Sequence, residues 1–229
     1  MNYRQFQTYK RRFVSALRVV LSKGGKDTQL TEAGFRAYAD SNSLIRFLFW
    51  RRLWLAINFL ESHGPYEAVL DFGCGSGAVL PLLTGLANRV VGVDINLTPY
   101  RALSHHFSFP NGAEVYETKD HPLSRFSDKT FDVIISLDVL EHVDNLQDVC
   151  AELCRITKPG GMIIVSGPTE NLFYQIGRRI AGKEYTGEYH IRNIYDIRRV
   201  AETFMETKTL ATLYYPFPLF KIFVGRVTM

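Results

Sequence analysis

The sequence predicts an α/β fold: a Rossmann-like, mostly parallel sheet with a closing antiparallel strand pair, preceded by an N-terminal helical extension. Three observations carry that expectation. An apolar run, Ala68 to Phe72, leads into Gly73-Cys74-Gly75-Ser76-Gly77. A second run, Arg89-Val90-Val91-Gly92-Val93, ends in Asp94, 17 residues beyond Gly77. The chain then closes on two consecutive β-rich segments, 209–215 and 220–227, separated by Pro216-Phe217-Pro218.

The first run reads as a buried parallel strand, because it is short, largely apolar and bounded by Gly64-Pro65 and the glycines. Glycines at its end let the backbone turn tightly and let a bulky ligand lie against main-chain N–H groups. The same spacing predicts that a helix opens there and continues through Leu83. An acid at the end of the next strand sits beside that loop and can accept both hydroxyls of a ribose. Strand, glycine loop, helix, strand and acid together describe a nucleoside-binding half-domain. Gly73-x-Gly75-x-x-Ala78 also satisfies the looser dinucleotide fingerprint, so an NAD-linked oxidoreductase is the rival on this motif alone.

Before that half-domain, apolar positions at Phe6, Tyr9, Phe13, Leu17, Val20 and Leu21 predict a helix over 3–22, ended by Gly24-Gly25. A shorter helix is expected from Thr31 to about Asp40. Ser41-Asn42-Ser43 supplies capping chemistry for a third, through Ser62. That third helix carries one stripe of Ile45, Phe49, Leu53, Ala56 and Leu60 and another of Leu48, Leu55 and Phe59, with Trp50 and Trp54 beside them. Arg46, Arg51 and Arg52 break the run, which excludes a transmembrane span. A helix apolar on two sides is expected to be sandwiched between the main domain and the first helix. The alternatives are an oligomer interface or peripheral contact with a membrane.

Beyond Asp94 the pattern predicts a helix near 98–107, strands at 113–117 and 131–137, a helix over 145–157 and a strand at 162–166. A helix over 191–205 precedes the final strand pair. Residues 1–66 are read as an extension covering the acceptor side and 67–229 as the ligand-binding domain.

At 229 residues, with 46% hydrophobic and 22% charged residues, the chain can bury a full core. Arg4, Lys10, Arg11, Arg12 and Arg18 interrupt any apolar stretch near the first residues, so a signal peptide is not expected there. The cysteines, Cys74, Cys150 and Cys154, complete no zinc set, so reduced thiols and a cytoplasmic location are expected. The net charge of +4 is uneven: residues 1–66 carry 11 Lys and Arg against 4 Asp and Glu, whereas the remainder carries 16 against 19. A basic extension of this kind meets an anionic lipid, a nucleic acid or the acidic body of its own protein.

Four stretches in order carry a more specific resemblance. Val69-Leu70-Asp71-Phe72-Gly73-Cys74-Gly75-Ser76-Gly77 resembles the first motif of class I S-adenosylmethionine (SAM)-dependent methyltransferases, and Val90 to Ile95 resembles their second-strand motif. Phe131 to Val143 resembles the fourth strand and its loop. Leu153 to Val165, with Lys158-Pro159-Gly160-Gly161, resembles the helix, turn and fifth strand. The branch it resembles is the type 11 group, which includes ubiquinone-biosynthesis methyltransferases. The resemblance covers roughly residues 67–166.

That resemblance implies SAM as cofactor and S-adenosylhomocysteine as product. It implies that Asp71 and Gly73 border the amino-acid end, Cys74, Gly75 and Gly77 the adenosine, and Asp94 the ribose. Ile95 then flanks the adenine, and Asp120 reaches its amino group, although the loop around Asp120 departs from the family pattern. Leu137 and Asp138 face the methionine part and the acceptor. Asp138-x-x-Glu141-His142 similarly resembles acid-x-x-Glu-His patterns that bind a divalent metal in some relatives, with His190 as a distal ligand. The competing readings are a loop-to-helix packing element and a general base at His142 or His190; no metal is expected.

The acceptor side is expected from 168–190 and the N-terminal helices. Leu172, Phe173, Tyr174, Tyr185 and Tyr189 would line it, with Arg178 and Arg179 available to an anion. The function expected is methyl transfer from SAM to a small or lipid-like acceptor, most readily at oxygen. A non-catalytic SAM-binding module or regulator is the alternative. A nucleic-acid acceptor is disfavoured, because no Asn-Pro-Pro-Tyr-type motif appears and the basic excess is confined to the extension.

Overall fold

The structure is a computed structural model that describes residues 1–23, 37–118, 123–172, 174–175, 192–214 and 216–228. Its centre is one sheet of seven strands: β1 (Tyr66–Phe72), β2 (Ala87–Asp94), β3 (Ala113–Glu117), β4 (Phe131–Leu137), β5 (Thr157–Pro168), β6 (Glu206–Leu213) and β7 (Phe220–Arg226). They lie in the order β3-β2-β1-β4-β5-β7-β6. The first five are parallel; β7 runs antiparallel between β5 and β6. The two closing segments of the sequence are therefore the antiparallel pair expected of them.

Helices cover both faces, which is why the inner strands read as continuous apolar runs. Alternate residues sort to opposite sides. Val69, Val90, Val133, Ile135, Ile164 and Ile222 share a core with α1 (Tyr3–Lys23) and α2 (Ser43–Glu61). Leu70, Val91, Ile134, Ile163 and Phe223 share the other with α5 (Leu146–Ile156) and α6 (Ile194–Ala201). Between these elements lie two short helices, α3 (Leu80–Leu83) and α4 (Thr98–Ser104). At the far end of the sheet the Asp132 carboxylate accepts the N–H groups of Glu67 and Ala68 and pairs with Lys158, tying β1, β4 and β5 together.

Several boundaries differ from the expected ones for local reasons. The helix after the glycine loop is only the four residues of α3, because Gly75 and Gly77 have φ of +50° and +76° and the chain makes a turn first. β5 begins at Thr157 because that residue pairs with Phe131, ahead of a register shift. β6 begins at Glu206, opposite Arg226, and α6 is correspondingly shorter.

The extension is packed against the sheet. The Asn42 side chain caps α2 by accepting the Leu44 N–H. Trp50 meets Phe6 and Phe13 of α1, while Phe49 on the same helix meets Phe220 of β7. Phe13 also contacts Phe107, beyond α4. α2 thus meets α1 through Trp50 and β7 through Phe49. Leu44 and Phe47 stay exposed near its start. Of the short helix expected over 31–40, only the last residues fall within the described chain.

Candidate functional site

The C-terminal ends of β1, β2 and β4 meet at one edge of the sheet, where the strand order reverses direction around β1. The glycine loop is laid across this edge by backbone bonds. Gly73 and Cys74 both donate to the Val93 carbonyl, at 2.8 and 3.0 Å, and the Gly77 N–H closes a turn on Cys74. Gly73 has φ +81°, and a Cβ there would lie 2.2 Å from Val139 Cγ2, so close packing against the β4 loop demands glycine. Gly75 differs: its φ is +50°, yet nothing lies within 4 Å of where a Cβ would be. Open space beside a glycine backbone is the cradle a ligand needs. Gly77 is packed against Tyr100 and Phe109.

Asp94 ends β2 with one oxygen accepting the Gly75 N–H at 2.7 Å and the other accepting Asn96 N–H at 3.0 Å. Burial pushes its carboxyl above the usual range, against the lowering effect of these bonds. Ile95 beside it is 68% exposed. An apolar side chain left bare next to a half-buried acid offers a flat contact for an adenine. Asp71 is buried within β1, and its Oδ2 has no hydrogen-bond partner. Burial, with the nearby Asp94 charge second, pushes its carboxyl up to about 8. An unpartnered buried carboxyl at the end of the glycine loop's strand fits the ammonium of an amino-acid ligand. These observations satisfy the donor set that SAM requires.

Across the edge, β4 ends at Leu137 and Asp138 adopts φ +58°, a left-handed conformation uncommon outside glycine. Two bonds from β5 hold it: Ser166 Oγ donates to Asp138 Oδ1 at 3.0 Å, and the Asp138 N–H donates to the Ser166 carbonyl at 3.1 Å. Its other oxygen is ion-paired with Arg52 from the middle of α2. Arg52 is 1% exposed. Glu141, in the 3-10 turn Leu140–His142, is equally buried and lies in the field of Arg52, and burial pushes its carboxyl up to about 8.

Residues 70–165 match the family described as a methyltransferase domain. That match begins inside β1, spans the glycine loop and Asp94, and ends inside β5. The matched stretch is therefore similar to a methyltransferase domain. Among its curated relatives is a ubiquinone biosynthesis O-methyltransferase of Nitrosococcus oceani, 30% identical over 147 residues, covering 59% of this chain and 62% of the relative. Another, from Thiobacillus denitrificans, is 26% identical over 185 residues, covering 74% of this chain and 78% of the relative. The chain spans 62%, 60% and 49% of the length of three such relatives. In fold it is similar to a solved protein from Pyrococcus horikoshii, with TM-score 0.64, 22% identity and coverage of 84% and 95% of the two chains. It is also similar to the N-methyltransferase NodS of Bradyrhizobium japonicum in complex with S-adenosylhomocysteine, with TM-score 0.61, 14% identity and coverage of 93% and 99%.

Within the matched stretch, Asp71, Gly73, Cys74, Gly75, Gly77, Asp94 and Ile95 lie together around one loop, with Leu137 and Asp138 at the end of β4. Asp120 and His190 lie outside the described residues, as do Phe173, Arg178, Arg179, Tyr185 and Tyr189. Asp138, Glu141 and His142 do not share one environment: Asp138 pairs with Arg52, Glu141 is buried and His142 is exposed. Among the described residues no three His, Cys, Asp or Glu side chains converge as metal ligands. Leu172, expected in an acceptor lining, is 66% exposed, whereas Tyr174 packs on Phe220.

Sequence reasoning missed Arg52, counting it only as one of three arginines that rule out a membrane span. A signal was present: its neighbours one turn away, Leu48, Phe49, Leu55 and Ala56, are all apolar. It also missed Tyr9, whose hydroxyl donates to the Ala78 carbonyl at 2.6 Å and so braces the turn after the glycine loop from α1.

The raised carboxyl of Asp71 predicts a pH signature. The native state keeps a proton that the unfolded chain loses near 3.8, so stability falls as pH rises from there to about 8. Asp71→Asn removes this loss. Urea unfolding of both proteins between pH 5 and pH 8 should show the variant gaining on wild type as pH rises. Parallel pH profiles would show that Asp71 is ionised in the ligand-free protein.

Proposed function

We propose that the protein transfers the methyl group of SAM to an oxygen of a small or lipid-like acceptor, leaving S-adenosylhomocysteine. The observation that carries this reading is the open cradle at Gly75, bonded to Asp94, facing the β4 end where Asp138 is held. When bound, SAM supplies an already activated methyl group on a sulfonium. What remains for the chain is to bind, orient and exclude water. Asp94 accepts the ribose hydroxyls, Ile95 covers the adenine, and the Gly75 backbone lies along the adenosine. The Asp71 carboxylate meets the ammonium. Leu137 flanks the methionine part, and Asp138 faces the acceptor, where a carboxylate can take the hydroxyl proton.

Oxygen as the methylated atom is supported by the relatives whose names are O-methyltransferases. An NAD-linked oxidoreductase is disfavoured by the antiparallel β7 beside β5. A partner or regulator that only binds SAM would use the same loop but would have no use for the held Asp138. Residues 1–66 are proposed to cover the acceptor side, since α1 braces the turn after the glycine loop and α2 reaches Asp138.

Calorimetric titration should give micromolar binding of SAM and S-adenosylhomocysteine and none of NAD. Asp94→Ala should weaken SAM by about 1–3 kcal/mol, the cost of hydrogen bonds to a charged group. NAD binding without SAM binding would overturn the reading.

A second role is favoured by one surface. Lys10, Arg11 and Arg18 of α1 and Arg46 of α2 line a shared groove, and Val19, Leu44 and Phe47 are exposed on the same two helices. No helix among the described residues is long and apolar enough to cross a membrane. Basic side chains beside bare apolar ones suit peripheral contact with anionic lipid, from which a lipid-like acceptor would be drawn. The protein should co-sediment with phosphatidylglycerol vesicles at low salt and not with phosphatidylcholine vesicles. Equal partition between the two would assign the charge to another role.

A further inference from the structure

Arg52 is a cation with almost no access to water. Its guanidinium carbon lies 4.3 Å from the centre of the Phe49 ring and 4.6 Å from that of Phe220. The groups around it come from four parts of the chain: Tyr38 before α2, which hydrogen-bonds it, then Asp138 and Glu141 after β4, Tyr174 after β5 and Tyr214 after β6. Among the described residues, Arg52 Nε, Glu141 Oε2 and Tyr214 Oη of this cluster are buried without a hydrogen-bond partner.

Stability does not account for such a cluster. A buried ion pair does little better than well-packed apolar side chains in its place, and each unmet polar atom adds a penalty. Unmet donors and acceptors around a cation, beside the residue that faces the acceptor, are the marks of a site completed by a ligand.

We propose that Arg52 is the residue that stabilises negative charge on the acceptor oxygen. This rests on the methyltransferase reading above. In the resting protein Arg52 faces the Asp138 carboxylate. When the acceptor enters, its hydroxyl proton passes to Asp138, and Arg52 exchanges the neutralised carboxyl for the acceptor oxygen. That oxygen then forms its bond to the methyl carbon as the carbon–sulfur bond breaks, with the bonding pair kept by sulfur. Arg52 thus faces one negative oxygen up to methyl transfer, which leaves a neutral ether; Asp138 then releases its proton to water and pairs with Arg52 again. Glu141, held protonated near neutral pH, leaves the cation free for that exchange and keeps a proton to donate. Phe49, Phe220 and Tyr174 around the cation suit a planar ring.

The test needs no turnover. 4-Nitrocatechol changes colour when its acidic hydroxyl ionises, so its absorbance reports charge on a bound phenol. Titrated with full-length protein saturated with S-adenosylhomocysteine, it should bind with its apparent pKa lowered by about 1–3, as an opposite charge at contact distance produces. Arg52→Gln should lose most of that shift while keeping S-adenosylhomocysteine affinity. Asp138→Asn, which leaves the cation without its resident carboxylate, should lower the probe's pKa further, and it decides the matter if Arg52→Gln does not fold. Binding with an unshifted pKa, a shift retained in Arg52→Gln, a smaller shift in Asp138→Asn, or no probe binding to the loaded wild type would each overturn the inference. Failure of the wild type to bind S-adenosylhomocysteine would instead bring down the methyltransferase reading beneath it.

Discussion

The ion pair between Arg52 and Asp138 is the constraint on which the two halves of this molecule depend. Arg52 belongs to a helix outside the matched family region, Asp138 to the loop at the end of β4 inside it. A guanidinium with 1% exposure has to be compensated where it lies. The compensation fixes the rotation of α2 about its axis, and that rotation turns Trp50 toward α1 and Phe49 toward β7. From the other side, the pair and two bonds from Ser166 hold Asp138 in a left-handed conformation that an aspartate rarely adopts. Packing of the extension and geometry at the end of β4 are therefore settled by one contact.

The cofactor side obeys a different constraint. There the backbone does the shaping: Gly73 is pressed onto Val139, and Gly75 is tied to Asp94 while its outer side stays open. Two carboxyls, Asp71 and Asp94, stand close enough to raise one another's cost of ionisation. Like charges gathered without a counter-ion destabilise the empty protein and favour a cationic ligand. Tyr9 links this side to the extension through the Ala78 carbonyl, so α1 reaches the turn after the glycine loop while α2 reaches the end of β4.

What was legible in the sequence divides along the same line. The first two strands and the cluster from Asp71 to Ile95 could be read because the loop geometry needs glycines at fixed spacing and the acid must end the next strand. The antiparallel closure could be read because two β-rich runs followed one another with only a proline turn between. Helix ends were read less well, since left-handed glycines and pairing partners such as Thr157 and Glu206 decide them. The cluster around Arg52 was not legible. Tyr38, Arg52, Asp138, Tyr174 and Tyr214 are far apart in the chain, and each is an unremarkable residue in its own segment. Helical periodicity marked α2 as buried on two sides, but it carries no information about which carboxylate an enclosed arginine meets. The Asp-x-x-Glu-His pattern drew attention to the right loop, although the structure turns its members into different environments.

A double-mutant cycle on Arg52 and Asp138, followed by urea unfolding of the full chain, tests most directly whether the extension and the matched region are joined as one buried unit. Arg52→Met and Asp138→Asn should each cost about 3–5 kcal/mol, since each strands a buried partner. The double variant should lose less than their sum, with a coupling of about 1–3 kcal/mol. Additivity within about 0.5 kcal/mol would contradict the account, because it would mean that the two residues do not sense one another.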